Sequence, residues 1–147
     1  MFVVRDYNYE ELKENIKKLN LSDNVFLVGK INGNLKQKFL QSSDVFVMPS
    51  YKVNNSIEGF GISYIEAAAY RIPSIAGLDG GVTDAVIDKK TGWCVDPLNQ
   101  EQLANVLRDA INNKDQRQKY GLHAEKNFLQ YFLGEKVFRK FMDTIKI

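Results

Sequence analysis

The feature that most constrains this chain is a change of period, repeated along its length. Short apolar runs rich in β-branched and aromatic residues alternate with longer stretches in which apolar residues recur at helical spacing. Strands of that kind, separated by helices, cannot pair as hairpins. They require crossover connections and so a parallel sheet flanked by helices. The runs are Phe2-Val3-Val4, Val25-Phe26-Leu27-Val28, Val45-Phe46-Val47-Met48, Ser74-Ile75-Ala76 and Thr91-Gly92-Trp93-Cys94-Val95. Between them, residues 9–19 place Leu12, Ile16 and Leu19 on one helical face, and residues 34–42 do the same with Leu35, Phe39 and Leu40. Residues 62–70 form an alanine-rich helical run, and residues 83–87 suit a short helix. Helices are expected within 100–112, 116–131 and 135–145. Punctuation agrees with this reading: Ser22, Asp23 and Asn24 make a turn, Gly29 closes one strand, Pro49 stops another, and Asp79-Gly80-Gly81 is a tight loop.

In such sheets ligands bind in the crevice outside the carboxyl ends of the strands. Those ends fall here at residues 29–31, 49–60 and 77–81. The middle one carries the most chemistry: Glu58-Gly59-Phe60-Gly61-Ile62-Ser63-Tyr64-Ile65-Glu66. Two acids bracket a glycine-flanked turn and the start of a helix. Backbone N–H groups at a helix N-terminus point outward unpaired, and the helix dipole adds positive potential there. Glycines let such a backbone approach a diphosphate with no Cβ in the way. Glu66, about a turn into the helix, suits two neighbouring hydroxyls such as those of a ribose. Glu58 would reach a sugar beyond the diphosphate. A plainer reading stands beside this one, because strand-to-helix turns often carry glycine and acids near a helix start also complement the dipole.

Other features exclude function classes. With 20 basic and 18 acidic residues the net charge is +2, which gives no electrostatic footing for nucleic acid. Cys94 is the single cysteine, so no intrachain disulfide forms and cytoplasmic residence is expected. No apolar run nears the roughly 20 residues that span a bilayer, and Arg5 and Asp6 interrupt the apolar start that a signal peptide would need. No His, Cys or carboxylate cluster suggests a metal site. Lys13, Lys17 and Lys18 read as a solvated helix face; a weak peripheral attraction to an anionic membrane surface is the alternative. His123, the only histidine, lies far along the chain from the paired acids and reads as a surface residue. Cys94 and Trp93 read as core or near-core, and Asp84 as a cap or loop brace.

Taken together, residues 25–97 resemble the C-terminal Rossmann-type domain of retaining GT-B glycosyltransferases, in the glycosyl transferases group 1 family. The nearest members are bacterial mannosyl- and glucosyltransferases acting on lipids and polysaccharides. The matching pieces stand in family order: Asn24-Val25-Phe26-Leu27-Val28-Gly29-Lys30, then Ser43-Asp44-Val45-Phe46-Val47-Met48-Pro49-Ser50, then the acids Glu58 and Glu66 around Gly59-Phe60-Gly61. Pro73, Ala76-Gly77, Gly80-Gly81, Thr91-Gly92-Trp93 and Asp96-Pro97 continue the match.

The resemblance implies specific roles. Glu66 would bind the ribose hydroxyls, and the amides of Phe60, Gly61 and Ile62 the diphosphate, with Gly59 keeping the turn open. Glu58 would act catalytically beside the transferred sugar, and Lys30 and Ile31 would border the nucleobase. It also implies a nucleotide diphosphate sugar as substrate, no cofactor and no metal, and an acceptor lipid or glycan as partner.

Departures from the family stand out as well. The Arg/Lys pair that clamps the diphosphate lies in a region outside these 147 residues, as does the N-terminal domain that supplies acceptor contacts. Val4-Arg5-Asp6-Tyr7 stands where members often have a Gly-x-Gly turn, and the loop 51–57 is longer than the shortest family versions. Glu-Gly-Phe-Gly followed by Glu-Ala-Ala-Ala resembles a subset of mannosyltransferases, which points toward GDP-mannose. With a strand stub directly after Met1, residues 1–147 are expected to be a donor-binding domain cut from a longer, two-domain enzyme, inactive alone. Two other classes remain: a nucleotide-sugar epimerase or phosphorylase of the same fold, and a non-catalytic α/β module. No lysine has the sequence context that a pyridoxal-phosphate phosphorylase would need.

Phe138, Phe141, Met142 and Ile145 form an apolar stripe at helical spacing near the C-terminus. Packing within this domain is expected, and the chain should then run as a monomer in light scattering at all concentrations. A concentration-dependent dimer abolished by Phe141→Asp would instead assign the stripe to an outward-facing surface.

Overall fold

A computed structural model describes residues 2–4, 8–31, 33–50, 61–78, 81–134 and 136 of the chain. The chain divides into two compact units, residues 1–39 and 40–147. In the first unit, strands β1 (Phe2–Val4) and β2 (Val25–Leu27) pair in parallel, with Val3 opposite Phe26. Helix α1 (Tyr9–Lys18) makes the crossover and buries Ile16. Leu19, expected on the same face, is 67% exposed. The helix ends there: Asn20 takes a positive φ of 54°, its N–H bonds the Lys17 carbonyl, and the Leu21 N–H bonds that of Ile16. This double bond pattern, closed by a left-handed residue, turns the chain before Leu19 can join the stripe. Lys13, Lys17 and Lys18 are exposed, as a solvated face requires.

Helix α2 (Gly33–Ser42) spans the division between the units and buries Leu40. The second unit is built on a three-stranded parallel sheet in the order β3 (Phe46–Met48), β4 (Ser74–Ala76), β5 (Gly92–Cys94). Every residue of β4 is buried, as expected of the middle strand of a parallel sheet covered on both sides. Successive side chains of a strand point to opposite faces, so Ile75 and Ala76 serve two different cores. On one face Ala76 packs with Tyr64, Val82, Ala85 and Val86, bordered by Phe46, Met48 and Cys94. On the other, Ile75 packs with Trp93, Val95, Ala110 and Tyr120. The register agrees, with Ile75 opposite Trp93 and Ala76 opposite Cys94.

Helices α3 (Ile62–Ala69), α4 (Val82–Ala85), α5 (Gln100–Asn112) and α6 (Lys114–Asn127) complete the described architecture. Three helix boundaries differ from the sequence-based expectation. Helix α6 starts at Lys114 rather than Gln116, because the Asn113 side chain accepts the Gln116 N–H at 3.0 Å and caps it. It also gives way to a π-turn over Phe128–Phe132 instead of running unbroken to residue 131. Helix α4 ends at Ala85, because Val86 is already extended. Arg117 ties α5 to α6: its Nη1 donates to the Ala110 carbonyl at 2.7 Å and to that of Ile111, and Nη2 lies 3.4 Å from Asp44. The stripe from Phe138 to Ile145 lies outside the described residues.

Ile75 is fully buried between β5 and α5. Ile75→Ala should lose about 2–5 kcal/mol, from lost transfer energy and the cavity left behind. A fall in the urea midpoint with an unchanged slope measures it; a loss under about 1 kcal/mol would contradict the packing described.

Candidate functional site

The carboxyl ends of β3 and β4 meet the mouth of α3. Strand β3 runs into Met48, Pro49 and Ser50, and β4 into Ala76 and Gly77. Gly77 is needed there for space. A Cβ on it would run into the Ser50 carbonyl oxygen, with the Ser50 nitrogen only 3.3 Å away. The two strand ends thus touch backbone to backbone, and glycine permits that approach.

Helix α3 is capped by Gly61 in the left-handed region, φ 70° and ψ 56°. The residue is buried, and a Cβ on it would strike the Tyr64 ring, whose Cε2 would lie 2.6 Å away. Glycine is therefore required twice over, by backbone conformation and by volume. The Tyr64 N–H bonds the Gly61 carbonyl at 2.9 Å, and the cap residue, being glycine, has no side chain to bond the first amides. Ile62, the first helical residue, is 70% exposed. The first turn thus lies at the positive end of the helix dipole, where helix amides point outward along the axis. Glu66 lies one turn further along α3, half-buried and already engaged with a neighbour within the protein.

Of the residues singled out from sequence, Gly61, Ile62 and Glu66 share this helix start. Glu58, Gly59 and Phe60 lie outside the described residues. Lys30, exposed, and Ile31, half-buried, follow β2 in the first unit, just after Gly29 with its positive φ of 58°. Tyr64 and Ser50 were not singled out. The Tyr64 hydroxyl donates to the Met48 carbonyl and stands 3.4 Å from the Ser50 Oγ. A tyrosine in an alanine-rich helix was the available signal, since a buried phenol must find a partner.

The remaining candidates have structural roles. Burial pushes the Cys94 thiol up to about 11, with nearby Asp88 adding to the effect, so it stays an inert, protonated side chain. Its Sγ donates to the Val86 carbonyl at 3.6 Å. His123 places Nδ1 3.2 Å from the Lys90 carbonyl, a brace between α6 and the turn before β5. Trp93 is core and tilts against Tyr120 with centroids 4.9 Å apart. Asp84 is exposed in the first turn of α4, where its charge suits the dipole; the cap itself is Gly81. Among the described residues no helix is long and apolar enough to cross a membrane.

The model of the family described as glycosyl transferases group 1 matches residues 4–127. The chain belongs to that family. Among its relatives is a GDP-mannose-dependent monoacylated alpha-(1-6)-phosphatidylinositol monomannoside mannosyltransferase of Corynebacterium glutamicum, 28% identical over 124 residues. The alignment covers 80% of this chain and 32% of that protein, so the chain spans about a third of its length. A solved C-terminal domain of a group 1 glycosyl transferase from Francisella tularensis superposes with a TM-score of 0.74 at 25% identity, covering 84% of this chain and 62% of that one. HepE of Anabaena, solved with UDP-glucose, shares the fold: TM-score 0.79, 21% identity, 93% of this chain and 36% of HepE. The fold is the Rossmann-like C-terminal half of a GT-B glycosyltransferase.

Gly61→Ala should lose about 1–3 kcal/mol in urea unfolding, from the left-handed backbone and the clash with Tyr64. In a Tyr64→Ala background only the backbone part, about 1 kcal/mol, should remain. Equal losses in both backgrounds would refute the steric coupling of Gly61 to Tyr64.

Proposed function

We propose that the chain is the donor-binding domain of a retaining glycosyltransferase that moves a hexose from a nucleotide diphosphate sugar to a hydroxyl acceptor in glycan or glycolipid synthesis. The observation that carries this is the mouth of α3: its cap is a glycine in the left-handed region, a residue with no side chain, and it stands at the touching carboxyl ends of β3 and β4. Anions bind such mouths because the amides and the dipole act together. In this reading the amides of Phe60, Gly61 and Ile62 hold the leaving diphosphate, and Gly59 keeps the turn open to it. Glu66 takes the ribose hydroxyls, and Glu58 stabilises charge at the transferred sugar. Lys30 and Ile31 border the base.

The same amides and dipole, joined by cationic side chains, would neutralise the developing diphosphate charge in place of a metal. A second domain of the same enzyme would supply the acceptor site, and residues 1–147 alone would then bind donor without turnover. The GDP-mannose dependence of the Corynebacterium relative favours GDP-mannose as donor; the UDP-glucose held by HepE keeps UDP sugars in the test. Peripheral attachment at the inner membrane face, through the exposed lysines of α1, fits a lipid acceptor.

Titration calorimetry with GDP and UDP checks this directly. One of the two should bind, and Glu66→Ala should weaken it at least tenfold, the loss of a charge-assisted contact. Affinity unchanged by Glu66→Ala would refute the ribose assignment, and no affinity for either nucleotide would refute the donor site.

A further inference from the structure

Tyr64 is almost completely enclosed, at 1% exposure, and its side chain spans two parts of the proposed site. Its ring occupies the space where a side chain on Gly61 would sit. Its edge meets Phe46 of β3 with centroids 5.7 Å apart and planes at 80°. Its hydroxyl donates to the carbonyl of Met48, the last residue of β3. The same oxygen stands 3.4 Å from the Ser50 Oγ, and the Ser50 backbone is the surface that Gly77 abuts. One residue therefore touches the cap of α3, the end of β3 and the residue that seats the end of β4. A leucine or isoleucine would fill much of the same volume, but it would leave the Met48 carbonyl without this donor and the helix start free to turn against the strand.

We infer that Tyr64 is a positioning residue for a nucleoside diphosphate: it fixes the rotation of the first turn of α3 against the end of β3, and so the direction in which the Gly61 and Ile62 amides point. This rests on the reading of the α3 mouth as the donor site. The residue acts through those amides and need not touch the ligand. A misdirected amide pair weakens contacts to phosphate oxygens and leaves contacts to base and ribose intact, because hydrogen bonds fall off steeply with angle. The signature is therefore selective for phosphate.

The test compares wild type with Tyr64→Phe, which keeps the ring and removes the hydroxyl. GDP and UDP are titrated by calorimetry, and guanosine and uridine by NMR shift changes. The nucleoside diphosphate should bind five- to tenfold more weakly to the variant, while the nucleoside changes less than twofold. Equal loss of both, or no loss of either, overturns the inference. A second measurement needs no ligand: exchange of the Tyr64 amide, bonded to Gly61 at 2.9 Å, should quicken more than fivefold while that of Ile75 in β4 stays the same. An unchanged rate overturns the inference as well. Should Tyr64→Phe fail to fold, Ser50→Ala should show the same phosphate-selective pattern at two- to threefold, and its absence would count equally against the proposal. Wild type without affinity for either nucleotide retires the donor reading and this inference together. Wild type that binds, with Tyr64→Phe indistinguishable from it, retires this inference alone.

Discussion

The second unit depends on the burial of β4 on both of its faces. A strand three residues long contributes few ladder bonds of its own, so its stability comes from what covers it. Ile75 faces one core and Ala76 the other, and each joins a separate cluster of buried side chains. Because the sheet is parallel, all three strands deliver their carboxyl ends to the same edge. Gly77 then lets the ends of β4 and β3 come into backbone contact, which brings Ser50 and the start of α3 to one place. The candidate site follows from that packing.

The cap of α3 shows how fold and chemistry share residues. Gly61 takes a conformation that side chains resist, and the Tyr64 ring fills the space that glycine leaves. A serine or aspartate at the cap position would have bonded a first-turn amide through its own side chain. Glycine gives up that bond, and the cost falls on the stability of a short helix. The C-terminal end of α3 is closed by backbone bonds: Arg71 takes a positive φ of 62°, and the N–H groups of Arg71 and Ile72 return to Ala68 and Ala67.

Much of this was legible from sequence, since hydrophobic period and turn chemistry are local properties. The five strands and the helices up to α5 fall where the alternation of periods placed them, within a residue or two. The helix start at Gly61 and Ile62 was legible too, because a glycine-bracketed turn before an alanine-rich run has few other uses. The differences arose where a single bond decided the boundary: the Asn113 side chain set the start of α6, and the turn at Asn20 left Leu19 in solvent. Neither bond changes hydrophobic period, so neither could be read from it.

The sequence by itself determined the class of fold, the family, and the order of the pieces along the chain, because all three reside in local pattern. Only the tertiary structure decided which pieces touch. Gly77 against Ser50 and Tyr64 against Gly61 and Met48 join residues from separate elements or successive turns. Such contacts depend on the register of neighbouring strands and the rotation of a helix on its sheet. Those are set by packing volume across the whole core, and no window of sequence contains it.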